Sequence, residues 1–280
     1  MSEHESRHHE RLGNMHTTLI SAETLVQLAE ALRLLDCRAR LGDPGFGRRL
    51  YDEGHIPGAT FASLDKDFAD PPGPGGRHPL PEQETLRDRF RAWGIDDDDQ
   101  VVVYDDAGGA FAARAWWCAR WLGHEAVAVL DGGFQAWKGP LSREQPLVPP
   151  GNFSIRPPVT REIDAASLLA RLDRTRLVDA RSLARFEARE EPVDPVAGHI
   201  PGAVCLPFQD NLDGAGRFKP AAELAGRFRA LPDDVVCYCG SGVTAAHNVL
   251  AMRVAGRPEP VLYPGSWSEW IQDPKRPRAP

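Results

Sequence analysis

The sequence predicts an α/β protein made of two copies of one domain, each a mainly parallel sheet flanked by helices. Three observations predict it. Short apolar runs of strand character alternate with helical segments along the chain, the pattern of parallel sheets with crossover helices. Four landmarks recur in the same order, 133 to 144 residues apart. Between the copies, residues 140–160 carry six prolines, the composition of an extended linker.

The landmarks are specific. Leu34-Leu35-Asp36-Cys37-Arg38 resembles Leu177-Val178-Asp179-Ala180-Arg181. Gly54-His55-Ile56-Pro57-Gly58-Ala59 equals Gly198-His199-Ile200-Pro201-Gly202-Ala203 residue for residue. Val101–Asp105 parallels Val235–Cys239, and Asp131–Trp137 parallels Pro264–Trp270. Such an offset is too long for a solenoid unit and fits a duplicated domain. The boundaries expected are 17–140 for the first domain, 141–160 for the linker and 161–280 for the second.

In chain order, residues 1–15 are polar and read as a solvated tail, with 1–14 dispensable; His4, His8 and His9 there need no metal. Ser21 caps a helix running to about Arg33. Strand Leu34–Cys37, helix Glu82–Trp93, strand Val101–Tyr104, helix Ala110–Trp121 and strand Val127–Leu130 complete the first half. The second half repeats the order. Its elements are helix Ala165–Leu172, strand Leu177–Asp179, helix Ala221–Arg229, strand Val235–Tyr238, helix Val243–Ala255 and strand Val261–Tyr263.

The stretch from Val235 to Arg253 carries the chemistry. A short strand runs into Cys239-Gly240-Ser241-Gly242, with two glycines in four residues, and then into a helix whose buried face is Val243, Ala246, Val249, Leu250 and Val254. Such a loop turns successive N–H groups inward and makes a concave anion site. A cysteine there, before a helix N-terminus, is favoured as a thiolate, the nucleophilic form. A lone cysteine is otherwise a small buried hydrophobe. Cys237, Cys239 and His247 do not form a metal site. Alternate strand residues face opposite ways, and no second Cys or His pair stands at zinc spacing. No metal and no cofactor are expected.

Composition narrows the class. The chain has 280 residues, is 42% hydrophobic and 26% charged, and has a net charge of −7, which argues against a broad nucleic-acid surface. Its five cysteines lack the dense spacing of a disulfide framework. No apolar run has membrane-spanning length, and no signal peptide opens the chain, so a cytoplasmic protein is expected.

Taken together, the doubled His-Ile-Pro-Gly, the single Cys239-Gly240-Ser241-Gly242-Val243-Thr244-Ala245 and the Gly265-Ser266-Trp267-x-x-Trp270 ending resemble the two-domain rhodanese sulfurtransferases. The resemblance covers nearly all of residues 17–275. It implies tandem rhodanese-like domains, with a silent first domain, because Asp105 stands where Cys239 stands in the second half. It further implies a ping-pong reaction. Cys239 takes the outer sulfur of a donor as a persulfide, and an acceptor thiol or cyanide removes it. The partners implied are therefore a small anionic sulfur donor and a thiol or cyanide acceptor, with no nucleic acid and no membrane; a monomer is the default state.

Site residues follow from the resemblance. Ser241, His78 and Asp65 match the catalytic network of 3-mercaptopyruvate sulfurtransferases around Cys239. Donor binding is assigned to Arg185 and to the loop residues Gly240, Gly242, Val243 and Thr244. Members specialised for thiosulfate often carry basic residues after the cysteine, where this chain has Gly240 and Ser241. The mercaptopyruvate enzymes clamp the donor with two arginines. Arg185 matches the first. The second falls where this chain has Glu191-Pro192-Val193-Asp194, and Arg189 is the candidate replacement. Both donors stay open at this point. Two readings compete with catalysis of sulfur transfer. A cysteine phosphatase needs an arginine six positions after its cysteine to bind phosphate, and Ala245 stands there. A non-catalytic persulfide carrier would share Cys239 but turn over no small donor.

Overall fold

Among the described residues every pair of sheet strands is parallel, so each connection must cross over a sheet face, and the intervening residues supply the crossovers. A computed structural model describes residues 15–28 and 32–280. The expected solvated tail, with its histidines, lies outside them. The first sheet holds β1 (Leu19–Ile20), β2 (Leu32–Asp36), β3 (Ala59–Phe61), β4 (Gln100–Tyr104) and β5 (Val127–Leu130), in the order β1-β5-β4-β2-β3. The second holds β6 (Arg161–Glu162), β7 (Arg176–Asp179), β8 (Ala203–Cys205), β9 (Val235–Tyr238) and β10 (Val261–Leu262), in the order β6-β10-β9-β7-β8. The two orders are the same topology, as the duplicated landmarks require. Among the described residues no helix is long and apolar enough to cross a membrane.

The strands missed in the sequence, β1, β3, β6 and β8, have two or three residues each, too few to display a periodicity. Other boundaries differ, among them the helix expected over Ala165–Leu172, which ends at Leu169. The helix capped by Ser21, whose Oγ accepts the Thr24 N–H at 3.2 Å, ends at Leu28 among the described residues. Leu32 and Arg33 belong instead to β2, where they pair with Gln100 and Val101. The helix expected from Ala110 begins at Ala112, because the Phe111 and Ala112 N–H groups are taken by Asp105. The helix Val243–Val254 has no single apolar face. Of its first ten residues, all but Thr244 are buried, because the sheet lies on one side and the helix Ala112–Trp121 of the other domain on another.

The doubled His-Ile-Pro-Gly is a structural device. Arg38 pairs with Asp36 at 2.6 Å and donates to the Gly54 carbonyl at 2.8 Å; Arg181 pairs with Asp179 and donates to Gly198, both at 2.7 Å. The His55 ring stacks on Tyr51 and the His199 ring on Phe186, both at 3.8 Å. The hydroxyls of Tyr104 and Tyr238 accept the N–H of Ile56 and Ile200 at 3.3 and 3.1 Å. Residues 143–156 form no helix or strand and lie on the first domain. Gly151 and Phe153 donate to the carbonyls of Arg91 and Ile95 at 2.8 and 3.2 Å, and Phe153 is buried.

Tyr104→Phe and Tyr238→Phe each leave a buried N–H unpaired in equivalent places. Each should lower stability by about 1–2 kcal/mol, and by similar amounts in the two domains. Melting temperatures of the two variants check this.

Candidate active site

β9 is the central strand of its sheet, and Cys239 is the residue immediately after it, at the carboxyl end where open α/β sheets place their ligands. The loop's shape is set by the segment after β10. The carbonyls of Cys239 and Gly240 accept the N–H groups of Trp267 and Ser268 at 3.0 and 2.8 Å. The Cys239 N–H donates to Ser266 Oγ at 3.1 Å, and that hydroxyl donates to the Tyr263 carbonyl at 2.8 Å. Ser266 holds a left-handed backbone with φ of 54°, unusual for a residue with a side chain. Gly242 also has positive φ, 76°, and a Cβ there would run into the Pro264 carbonyl. With its carbonyls tied back, the loop presents an N–H to the sulfur: Gly242 donates to Cys239 Sγ at 3.2 Å. Val243 and Thr244 open the following helix, so their N–H groups lack intrahelical acceptors.

The other cysteines differ in kind. Burial pushes the thiols of Cys37, Cys118, Cys205 and Cys237 up. The sulfurs of Cys37 and Cys205 donate to carbonyls, whereas that of Cys239 accepts an N–H. Among the described residues, no three His, Cys, Asp or Glu side chains gather as a metal site would need.

The first domain reaches over this loop. His78 Nδ1 lies 2.7 Å from Ser241 Oγ, and Asp65 Oδ1 lies 3.4 Å from His78 Nε2. Asp65 comes from the short helix Leu64–Asp67 and His78 from the loop that follows. Burial, with the charges of Arg114 and Arg77, pushes the His78 imidazole down to about 4. The ring is therefore neutral near pH 7. With Nε2–H toward Asp65, Nδ1 accepts the Ser241 hydroxyl proton. The three residues matched through the resemblance are thus brought together across the domain boundary.

Arg114 holds them there, and nothing in the sequence pointed to it. Its fully buried guanidinium donates to the carbonyls of Phe68 (3.2 Å), His78 (3.1 Å) and Gly242 (3.2 Å), joining the His78 loop to the Cys239 loop. A sequence signal existed only weakly, as two arginines, Arg114 and Arg120, inside an otherwise apolar helix, Ala112–Trp121.

Arg185, in the helix Leu183–Phe186, lies beside the loop: a Cβ on Gly240 would stand 3.5 Å from Nη1 and Nη2 of Arg185. Arg189 does not join it. Its side chain is 61% exposed and pairs with Glu187 at 2.7 Å, so the replacement considered for the second clamp position is a surface residue. The guanidinium that does arrive is Arg77, with Nη2 at 2.7 Å from the same Cβ position. It was invisible in the sequence because it belongs to the other domain.

The first-domain counterpart of the loop is filled by its own side chain. The Asp105 carboxylate accepts the N–H groups of Ala107, Gly109, Phe111 and Ala112 at 2.7 to 2.8 Å. Helix Ala112–Trp121 begins seven residues after Asp105, whereas helix Val243–Val254 begins four after Cys239.

Comparisons with known proteins agree with this geometry. A model of the rhodanese-like domain matches residues 21–140 and 164–273. The probable 3-mercaptopyruvate sulfurtransferase of Pseudomonas aeruginosa is 51% identical over 276 residues, covering 93% of this chain and 97% of that protein. The thiosulfate sulfurtransferase of Gallus gallus is 34% identical, covering 90% of this chain and 93% of its own. The solved 3-mercaptopyruvate sulfurtransferase from Leishmania major superposes with a TM-score of 0.82 at 29% identity, over 91% of this chain and 74% of that one.

Arg114→Ala should unpair three buried carbonyls at the domain boundary. A loss of about 3 kcal/mol or more is expected, together with a fall in kcat that Arg114→Lys only partly reverses. Thermal melts and turnover measured on the same samples test this. Asp105→Ala should likewise cost about 3 kcal/mol or more by orphaning four N–H groups, yet leave kcat near the parent value below the melting range. Turnover per folded molecule decides that case.

Proposed function

The chain belongs to the rhodanese-like domain family and is a sulfurtransferase; from that premise we propose that Cys239 carries the sulfur and that 3-mercaptopyruvate is the donor. The observation that carries the donor choice is the Ser241–His78 contact of 2.7 Å, backed by Asp65. Thiosulfate brings no proton to the reaction. A mercaptoketone does, and its transfer needs a proton moved from sulfur to carbon.

The step balances as follows. The Cys239 thiolate attacks the donor sulfur, the new S–S bond forms, and the C–S bond breaks. The bonding pair leaves on the pyruvate fragment as an enolate. The thiol proton passes to the enolate carbon, giving pyruvate and a Cys239 persulfide anion. Ser241 and neutral His78 are placed to relay that proton and to donate a hydrogen bond to the developing enolate oxygen. An acceptor thiolate or cyanide then attacks the outer sulfur, and Cys239 leaves as the thiolate. Cys239 and Ser241 are 2% and 4% exposed, so bulk water has little access to the persulfide.

Two results test the donor assignment. His78→Ala and Ser241→Ala should each lower kcat/KM for 3-mercaptopyruvate by about 10²–10³, with the double variant little worse than either, and should lower thiosulfate turnover far less. Equal losses on both donors, or loss on thiosulfate alone, would refute it. The advantage in kcat of the parent enzyme over His78→Ala with 3-mercaptopyruvate should hold as pH falls to about 5. It should then drop with an apparent pKa near 4, because protonated His78 can no longer accept the Ser241 proton.

A further inference from the structure

The segment Glu191–Asp194 contains no arginine, yet two guanidiniums converge on the residue after the nucleophile. Arg185 comes from the second domain and Arg77 from the first. What joins them is a single carboxylate. Asp194, with its side chain 2% exposed, directs Oδ1 to Nη1 of Arg77 and Oδ2 to Nη2 of Arg185, the latter at 2.9 Å. Glu191 fixes the turn beneath. Its Oε1 accepts the N–H groups of Val193 and Asp194 at 3.1 and 3.0 Å, and its carboxylate also binds Arg185 and Arg181. The Arg77 backbone is docked as well, through its N–H on Ser268 Oγ at 3.0 Å, on the same segment that ties back the Cys239 loop.

Nη2 of Arg77, which Asp194 does not use, is the atom that faces Gly240. Gly240 does not need glycine for its backbone angles; the absent side chain leaves the space that this nitrogen occupies. Resting on the donor reading above, we propose that Arg77 is the second guanidinium of the donor pocket. It is delivered from the first domain and positioned by Asp194, so that the carboxylate of the donor is held across the domain boundary by Arg77 and Arg185 together. The segment that lacks an arginine thus offers a carboxylate that recruits one from the neighbouring domain. Two forked cations are the arrangement that a planar carboxylate beside a ketone oxygen requires.

The test is steady-state kinetics of the full chain with 3-mercaptopyruvate, alongside melting temperatures. Arg77→Ala should raise KM ten- to a hundredfold while kcat changes less than threefold, and Arg77→Lys should recover part of the loss. Gly240→Ala, whose methyl group would stand 2.7 Å from Nη2 and push it aside, should raise KM in the same way without removing any charge. Arg77→Asp should be worse than Arg77→Ala. Combining it with Asp194→Arg, which returns a guanidinium from the second domain, should recover at least tenfold in kcat/KM over Arg77→Asp alone. An unchanged KM in Arg77→Ala, with only the melting temperature lowered, would reduce Arg77 to an interdomain strut and overturn the proposal, as would failure of the charge exchange to recover activity. If the parent protein turned over thiosulfate but not 3-mercaptopyruvate, the donor reading itself would fall, a result distinct from either.

Discussion

One buried guanidinium holds the site together. Taking Arg114 out of water is expensive, and its hydrogen bonds to Phe68, His78 and Gly242 offset that cost only while both domains are docked. The three carbonyls belong to a loop of the first domain, to the loop carrying His78, and to the loop carrying Cys239. None of these segments is a regular element with its own hydrogen-bond ladder. Each relies on a neighbour for its shape, and Arg114 is the neighbour they share. The packing of helix Ala112–Trp121 against helix Val243–Val254 supplies the apolar burial that makes such a polar joint tolerable.

The duplication puts two different side chains at one place in the fold. Both loops follow the central strand of a five-stranded sheet, and both turn backbone N–H toward the side chain that follows that strand. In the first domain that side chain is Asp105, whose carboxyl oxygens accept four N–H groups. In the second it is Cys239, whose sulfur accepts one N–H at 3.2 Å and remains able to form a bond. The same scaffold holds a hydrogen-bonded carboxyl in one copy and, in the function proposed above, a nucleophile's seat in the other. His78, Asp65 and Arg77 reach the Cys239 loop from the first domain.

How much of this could be read from the sequence depends on distance along the chain. The repeat, the parallel sheets and the Cys239 loop are local patterns, and they appear where expected. His78 and Asp65 could be named only by resemblance, since a histidine 163 positions from its serine leaves no spacing signal. Arg77 and Arg114 had neither spacing nor resemblance to mark them. Their roles exist only once two domains meet, and a charge in a loop or on a helix looks solvated until then. Arg189 was the converse error. It stood near the missing clamp position in sequence, but the turn built on Glu191 and Asp194 leaves it outside, paired with Glu187.

The ionic balance of the pocket bears on its selectivity. Arg77, Arg181 and Arg185 face Asp179, Glu191 and Asp194, so the cluster is neutral as a whole. A site of bare guanidiniums would bind any small dianion, including phosphate and sulfate, which abound and would inhibit. Carboxylate-held guanidiniums offer directed hydrogen bonds with little net field, and a ligand must match their geometry to gain from them. Affinity then depends on what else the donor brings. A mercaptoketone adds a ketone oxygen and a transferable proton, which the Ser241–His78 pair can use. An inorganic oxyanion adds neither. For the donor proposed above, a neutral cluster would shift selectivity from charge to shape and proton chemistry, in keeping with a chain of net charge −7 and a nearly closed Cys239.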